Sequence, residues 1–143
     1  METPETLRVG AGMLFNAQGE VLLGLRPEGK KRGGLWEMPG GKVEGTEPPR
    51  VAVVREWQEE LGVTVTAHDR IAIAHLDLEV KFDVYLFEVR LVDPAAVLRV
   101  CDHTELRWTD LERAVTYMPC SPALYLHYPE IREWMTSRSP NGR

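Results

Sequence analysis

Cysteine is scarce. Cys101 and Cys120 are the only two in 143 residues, too few for a disulfide framework and too far apart for a Cys-x-x-Cys metal knuckle, so both read as reduced packing residues. Long apolar runs are also missing. Nothing approaches the roughly 20 residues that span a bilayer, and the longest uncharged stretch, Ala114 to Pro129, is interrupted by Pro119 and Pro122 and reads as a loop followed by a helix. The acidic start Met-Glu-Thr-Pro-Glu lacks the basic residues and apolar core of a signal peptide, which makes the expected location cytoplasmic, with no membrane partner. Positive charge is in deficit: 17 Lys plus Arg stand against 22 Asp plus Glu, a formal charge of −5, which speaks against a stable nucleic-acid partner and leaves room only for a local basic patch. His68, His75, His103 and His127 fall on different expected elements and form no spaced ligand pair, so each reads as structural.

What is present is an ordinary globular composition, 43% hydrophobic and 27% charged, in a length that suits one domain. Its core is expected over residues 8–135, with a polar tail over 136–143. The apolar runs Arg8 to Phe15 and Val21 to Leu25, joined by the turn Asn16 to Gly19, predict a β-hairpin. Arg26 to Gly34 mixes Gly and Pro with basic residues and reads as an exposed loop, followed by a short strand from Leu35 to Met38 that ends at Pro39-Gly40-Gly41. Val63 to Ala67 and Ile71 to Leu76 read as two strands, Val80 to Leu91 as a central one, and Thr104 to Trp108 as a short one. Asp110 is placed to cap a short helix, and Pro122 to Met135 predicts a longer helix in which Tyr125, Tyr128 and Trp134 pack.

Between Pro49 and Leu61 the periodicity becomes helical. At about 100° per residue, Val51, Val54, Trp57 and Leu61 gather on one side, while Glu56, Glu59 and Glu60 share an arc on the other, expected to be exposed. Pro49 suits the first turn and Gly62 a left-handed cap. Glu56 and Glu60 form a like-charge pair at i and i+4, with Glu59 beside them, and Arg55 alone leaves most of that charge unneutralised. Gly40 and Gly41 just upstream let backbone carbonyls approach an ion or phosphate closely. Carboxylates, a carbonyl and water make a hard-cation site for Mg²⁺ or Mn²⁺, and a cluster without Cys or His does not suit zinc.

The segment Gly41-Lys-Val-Glu-Gly-Thr-Glu47, then Pro48 to Val54, then Arg55-Glu-Trp-Gln-Glu-Glu-Leu-Gly-Val63 resembles the Nudix box, G-x5-E-x7-R-E-U-x-E-E-x-G-U with U a bulky aliphatic residue. Every invariant position is filled. Trp57 departs from the usual aliphatic residue, Thr46 from a common Gly, and Pro48 from the usual capping Thr or Ser. With Leu35-Trp-Glu-Met-Pro-Gly-Gly-Lys42 in front of it, the chain is most similar to the MutT-like branch.

The resemblance implies an α/β/α sandwich with a mixed sheet over most of the chain, and hydrolysis of a nucleoside diphosphate linked to another group, by water attack on phosphorus with a divalent metal. Carried across, Glu59 and Glu60 ligate the metal, Glu56 ligates it or acts as base, and the Gly41 carbonyl completes the shell. Arg55 orients a catalytic glutamate and Glu47 braces the loop by a salt bridge, while either Asp102 or Glu105 supplies a further acidic ligand. Arg26 and Lys42 meet phosphates. Lys30, Lys31 and Arg32 read as solvated charge, Glu37 lies near the base, and Trp36 belongs to the core. Ser121 stands nearest the position where MutT carries a base-reading Asn, so Met118, Cys120 and Ser121 become candidates for a different base pocket. The expected reaction converts a nucleoside triphosphate, modified or oxidised bases included, to the monophosphate and pyrophosphate. The rivals are a nucleoside diphosphate conjugate such as ADP-ribose and a noncatalytic nucleotide-sensing module. Monomer and homodimer both stay open.

Overall fold

A computed structural model describes residues 5–138, so the first four residues of the acidic start and residues 139–143 of the expected tail lie outside what is described. Strands β1 (Leu7–Met13), β4 (Gly40–Lys42), β5 (Val65–Asp77) and β6 (Lys81–Leu91) form a mixed sheet in the order β4-β1-β6-β5. Only the β1 and β6 pair is parallel. A second, antiparallel sheet has the order β3-β2-β7, from β2 (Val21–Leu25), β3 (Trp36–Glu37) and β7 (Glu105–Thr109). Helices α1 (Pro49–Leu61), α2 (Leu111–Tyr117) and α3 (Pro122–Arg138) complete the described elements. Among the described residues no helix is long and apolar enough to cross a membrane.

The alternation along β6 explains the layering. Val84 and Leu86 face a cluster with Met13, Leu23, Leu124 and Ile131 on the α3 side, whereas Phe87 and Val89 face Val53, Trp57 and Leu61 of α1. Both faces of the mixed sheet are therefore covered by a helix, which is the expected α/β/α sandwich. As its apolar run suggested, β6 is interior, paired on both edges.

Several expectations need correction. The hairpin closes only at its base, where Phe15 bridges Val21 and Asn16 N–H meets the Glu20 carbonyl at 2.9 Å. Beyond that turn the two strands part into different sheets, because β1 is taken by β4 and β6 on its two edges. The two strands expected between Val63 and Leu76 are one strand whose register shifts near Ala67, Arg70 and Ala72, so local bulges stand where a break was read. Gly40 and Gly41, expected only to end the strand before them, belong to a strand of their own, β4. Ala114 to Tyr117, read as loop, is the end of α2, started by the Asp110 cap as expected. α3 continues past Met135, since Trp134 stacks on Phe15 at 6.2 Å and Arg138 pairs with Glu88 at 2.9 Å, so 136–138 are helix and not tail.

Helix α1 keeps its expected ends, with Pro49 in the first turn and Gly62 left-handed at φ 68°. Its packing face is turned from the expected one. Val51 is 50% exposed, while Ala52, Val53, Trp57 and Leu61 are buried, and with them Glu60. The Trp57 indole N–H donates to the Pro39 carbonyl at 2.9 Å, which locks α1 to the turn between β3 and β4.

Trp57→Ala should destabilise the fold by about 3–5 kcal/mol, and Val51→Ala on the same helix by no more than about 0.5 kcal/mol. Urea unfolding of the two variants measures the contrast. Equal losses would contradict the packing described.

Candidate active site

Arg55 is the hub of the acidic face. Its Nε and Nη2 donate to the two Glu47 oxygens at 2.9 Å each, its Nη1 reaches Glu56 at 2.8 Å and Glu59 at 3.1 Å, and Nη2 also bonds the Lys42 carbonyl at 3.0 Å. This fork holds the Glu47 carboxyl below the usual carboxylate range and pushes the guanidinium further up, the hydrogen bond between them being the leading cause in both. One cation faces Glu44, Glu47, Glu56 and Glu59 together.

Glu56 lies against β4 so closely that a methyl group on Gly41 would overlap its carboxyl. A side chain there would push the carboxylate off the strand, so glycine serves close approach at this position.

Glu60 is different. Its side chain is 7% exposed, against 55% for Glu59, and no arginine among the described residues reaches it. Burial first, then a hydrogen bond to Glu56 and the negative charges of Glu56, Glu37 and Asp102, pushes its carboxyl up to about 10. The expectation that Glu60 sits on an exposed face is overturned, because α1 turns that side toward β4 and the loop before β7.

Glu56, Glu60, Glu37, Asp102 and His103, with Arg26, line a cavity of about 200 Å³. Arg26, Lys30, Glu37 and Gly40 also border a neighbouring cavity of about 630 Å³, whose rim carries Lys31, Arg32 and Lys42 and whose walls are largely apolar. Among the described residues no three acidic, imidazole or thiol side chains stand in metal-ligand geometry, because Glu56 and Glu59 lean on Arg55. The donor set nevertheless fits a divalent cation. It offers hard oxygen donors, and among the described residues neither arginine nor lysine forms an ion pair with the buried Glu60 carboxyl.

The other expected site residues divide. Asp102 borders the small cavity, while Glu105 does not, its carboxylate being held by Arg107 at 2.8 Å. Ser121 lines the large cavity. Cys120 does not, since it is buried with Sγ on the Ala114 carbonyl at 3.4 Å, and Met118 packs against the core instead. Trp36 is core, as expected. Lys31 and Arg32, read as solvated, pair with Glu79 at 3.8 and 3.0 Å.

The sequence marks His103 as structural, but the fold places it on the acidic cavity. Nε2 is 3.0 Å from Glu37, Nδ1 is 3.8 Å from Glu60 without a hydrogen-bond partner, and Gly24 on β2 leaves room for the ring, since a side chain there would strike it. Adjacency to Asp102 was the one signal in the sequence.

The model of the NUDIX domain matches residues 5–135. The chain is 34% identical over 110 residues, 77% of its length and 80% of the relative's, to a CTP pyrophosphohydrolase of Escherichia coli (strain K12). It is 41% identical over 66 residues to an 8-oxo-dGTP diphosphatase of Proteus vulgaris, a match over 46% of this chain and 59% of that protein. The crystal structure of a MutT protein from Methanosarcina mazei Go1 superposes with a TM-score of 0.80 at 28% identity, covering 93% of this chain and 97% of the other.

A carboxyl whose folded pKa lies above its unfolded one holds its proton more tightly when folded, so its contribution to stability falls as pH rises from 4.5 towards about 10. In metal-free buffer Glu60→Gln should therefore raise the urea midpoint more at pH 8 than at pH 5. A difference from the unaltered protein that is the same at both pH values would refute the placement of Glu60.

Proposed function

Because the chain belongs to the NUDIX family, in its MutT-like branch, and is a hydrolase of phosphoric anhydride bonds in nucleotides, we propose that it cuts a nucleoside triphosphate into the monophosphate and pyrophosphate with Mg²⁺. The observation that carries this reading is the pairing of two cavities. One rich in carboxylates holds the buried Glu60, and it adjoins one with a basic rim and apolar walls, large enough for a nucleotide. The names of two similar proteins, a CTP pyrophosphohydrolase and an 8-oxo-dGTP diphosphatase, support a triphosphate substrate.

The Gly41 carbonyl, Glu56, Glu59, Glu60 and Asp102 would hold the cation, with Mn²⁺ as the alternative to Mg²⁺. Such an ion, when bound, neutralises phosphate charge and lowers the pKa of water. Arg55 keeps Glu56 and Glu59 on one side of the cleft and, through Glu47, ties them to the segment before α1. Glu37 is held at the wall by His103 and Arg26. Arg26 and Lys42 would meet the phosphates, with Lys30 beside Arg26. Residues 5–135 act as one hydrolase domain on the cytoplasmic nucleotide pool.

The test is a panel of nucleoside triphosphates, oxidised nucleotides and ADP-ribose assayed for pyrophosphate and phosphate release. Pyrophosphate should appear with Mg²⁺ and vanish with EDTA, and Glu59→Gln should lower kcat by about 10²–10⁴-fold. Cleavage of ADP-ribose alone would replace this reading by the conjugate hydrolase. Tight binding without any release would replace it by the sensing module.

A further inference from the structure

The apolar end of the larger cavity is walled by Leu76, Phe82, Val84 and Leu124, with two polar side chains among them, Ser121 and His127. Neither borders the smaller acidic cavity. His127 lies on α3, almost wholly buried, and its Nε2 is 2.9 Å from the Val84 carbonyl oxygen. A carbonyl only accepts, so Nε2 carries the hydrogen. Burial holds the ring below its ordinary pKa, hence neutral, and Nδ1 is left as a lone pair. Among the described residues Nδ1 has no hydrogen-bond partner, and His127 is one of the residues that line the cavity.

Ser121 is complementary. Its Oγ accepts from the Leu124 N–H at 3.3 Å, which leaves the hydroxyl hydrogen free to donate. The carboxylates on the same wall are already engaged, Glu37 by His103 and Arg26, Glu79 by Arg32. At the apolar end of the cavity the polar side chains are thus one fixed acceptor and one donor.

Resting on the reading that this cavity takes the nucleoside, we propose that His127 selects the base. Its Nδ1 accepts from the exocyclic amino group at position 4 of cytosine or position 6 of adenine, and the Ser121 hydroxyl donates to the adjacent ring nitrogen. With phosphates held at the acidic end, the edge of the base farthest from them reaches α3. Uracil and hypoxanthine place a carbonyl oxygen at that position, lone pair against lone pair, and a buried acceptor left unpaired is costly. His127 is therefore a specificity-determining residue, and the amino bases are preferred to their keto counterparts.

The experiment compares kcat/KM for CTP against UTP and ATP against ITP. It also follows the Nδ1 resonance of His127 in protein labelled with ¹⁵N-histidine as α,β-methylene analogues of CTP and UTP are added. The amino base should be favoured by about 10-fold or more in each pair, and Nδ1 should shift with the CTP analogue only. In His127→Phe, if it melts cooperatively, both preferences should fall to about onefold. Equal rates, a preference for UTP, or an Nδ1 signal indifferent to the CTP analogue overturns the assignment while leaving the pyrophosphohydrolase reading intact. Absence of turnover with all four nucleotides, together with a shift of Nδ1, sinks that reading and supports the base assignment.

Discussion

One guanidinium organises the acidic face. Arg55 binds both oxygens of Glu47 and reaches Glu56 and Glu59 with its remaining nitrogen. Without it, carboxylates one helical turn apart would repel one another and swing to solvent. The planar fork fixes direction as well as charge, a geometry that an ammonium group does not reproduce. Because the same arginine bonds the Lys42 carbonyl, the end of β4 and the first half of the motif move with α1 as one unit.

Glu60 is the counterpart to this economy. Arg55 satisfies the rim of the cluster and leaves the innermost carboxyl without an arginine or lysine ion pair among the described residues, in a cavity shared with Glu37, Asp102, His103, Arg26 and Lys30. A protein that needed only stability would fill that position with an apolar side chain. The Gly41 and Glu56 contact and the Gly24 and His103 contact show the same priority, since in both a side chain is given up on a strand so that a polar group fits.

Much of this was legible. The periodicity from Pro49 to Leu61 located α1 to the residue and the carboxylates on it, because helical periodicity and fixed ends are local properties, while a salt bridge from Glu47 was implied by the family resemblance and its partner, Arg55, comes from the fold. The nearly continuous apolar run in Val80 to Leu91 identified the central strand. What escaped depends on partners distant in sequence. Phe15 and Val21 read as hairpin ends, but which edge β1 takes is decided by β4 and β6. The rotation of α1 that exposes Val51 and buries Glu60 is set by the sheet beneath it, not by the helix itself. His103 resembled any isolated histidine until Gly24, some 80 residues earlier, was brought against it.

The chain's crossing from one sheet to the other after Asn16 has a mechanical consequence. Gly41, Glu56, Glu59 and Glu60 ride on the mixed sheet and its helix, whereas Arg26, Glu37, Asp102 and His103 ride on or beside the smaller sheet. The cleft is thus a seam between two plates, stitched at the Phe15–Val21 bridge and at the Pro39 turn clasped by Trp57. Shear between the plates would alter the span across the seam before it disturbed either plate, so the tightness of those two stitches governs how faithfully the opposing walls meet.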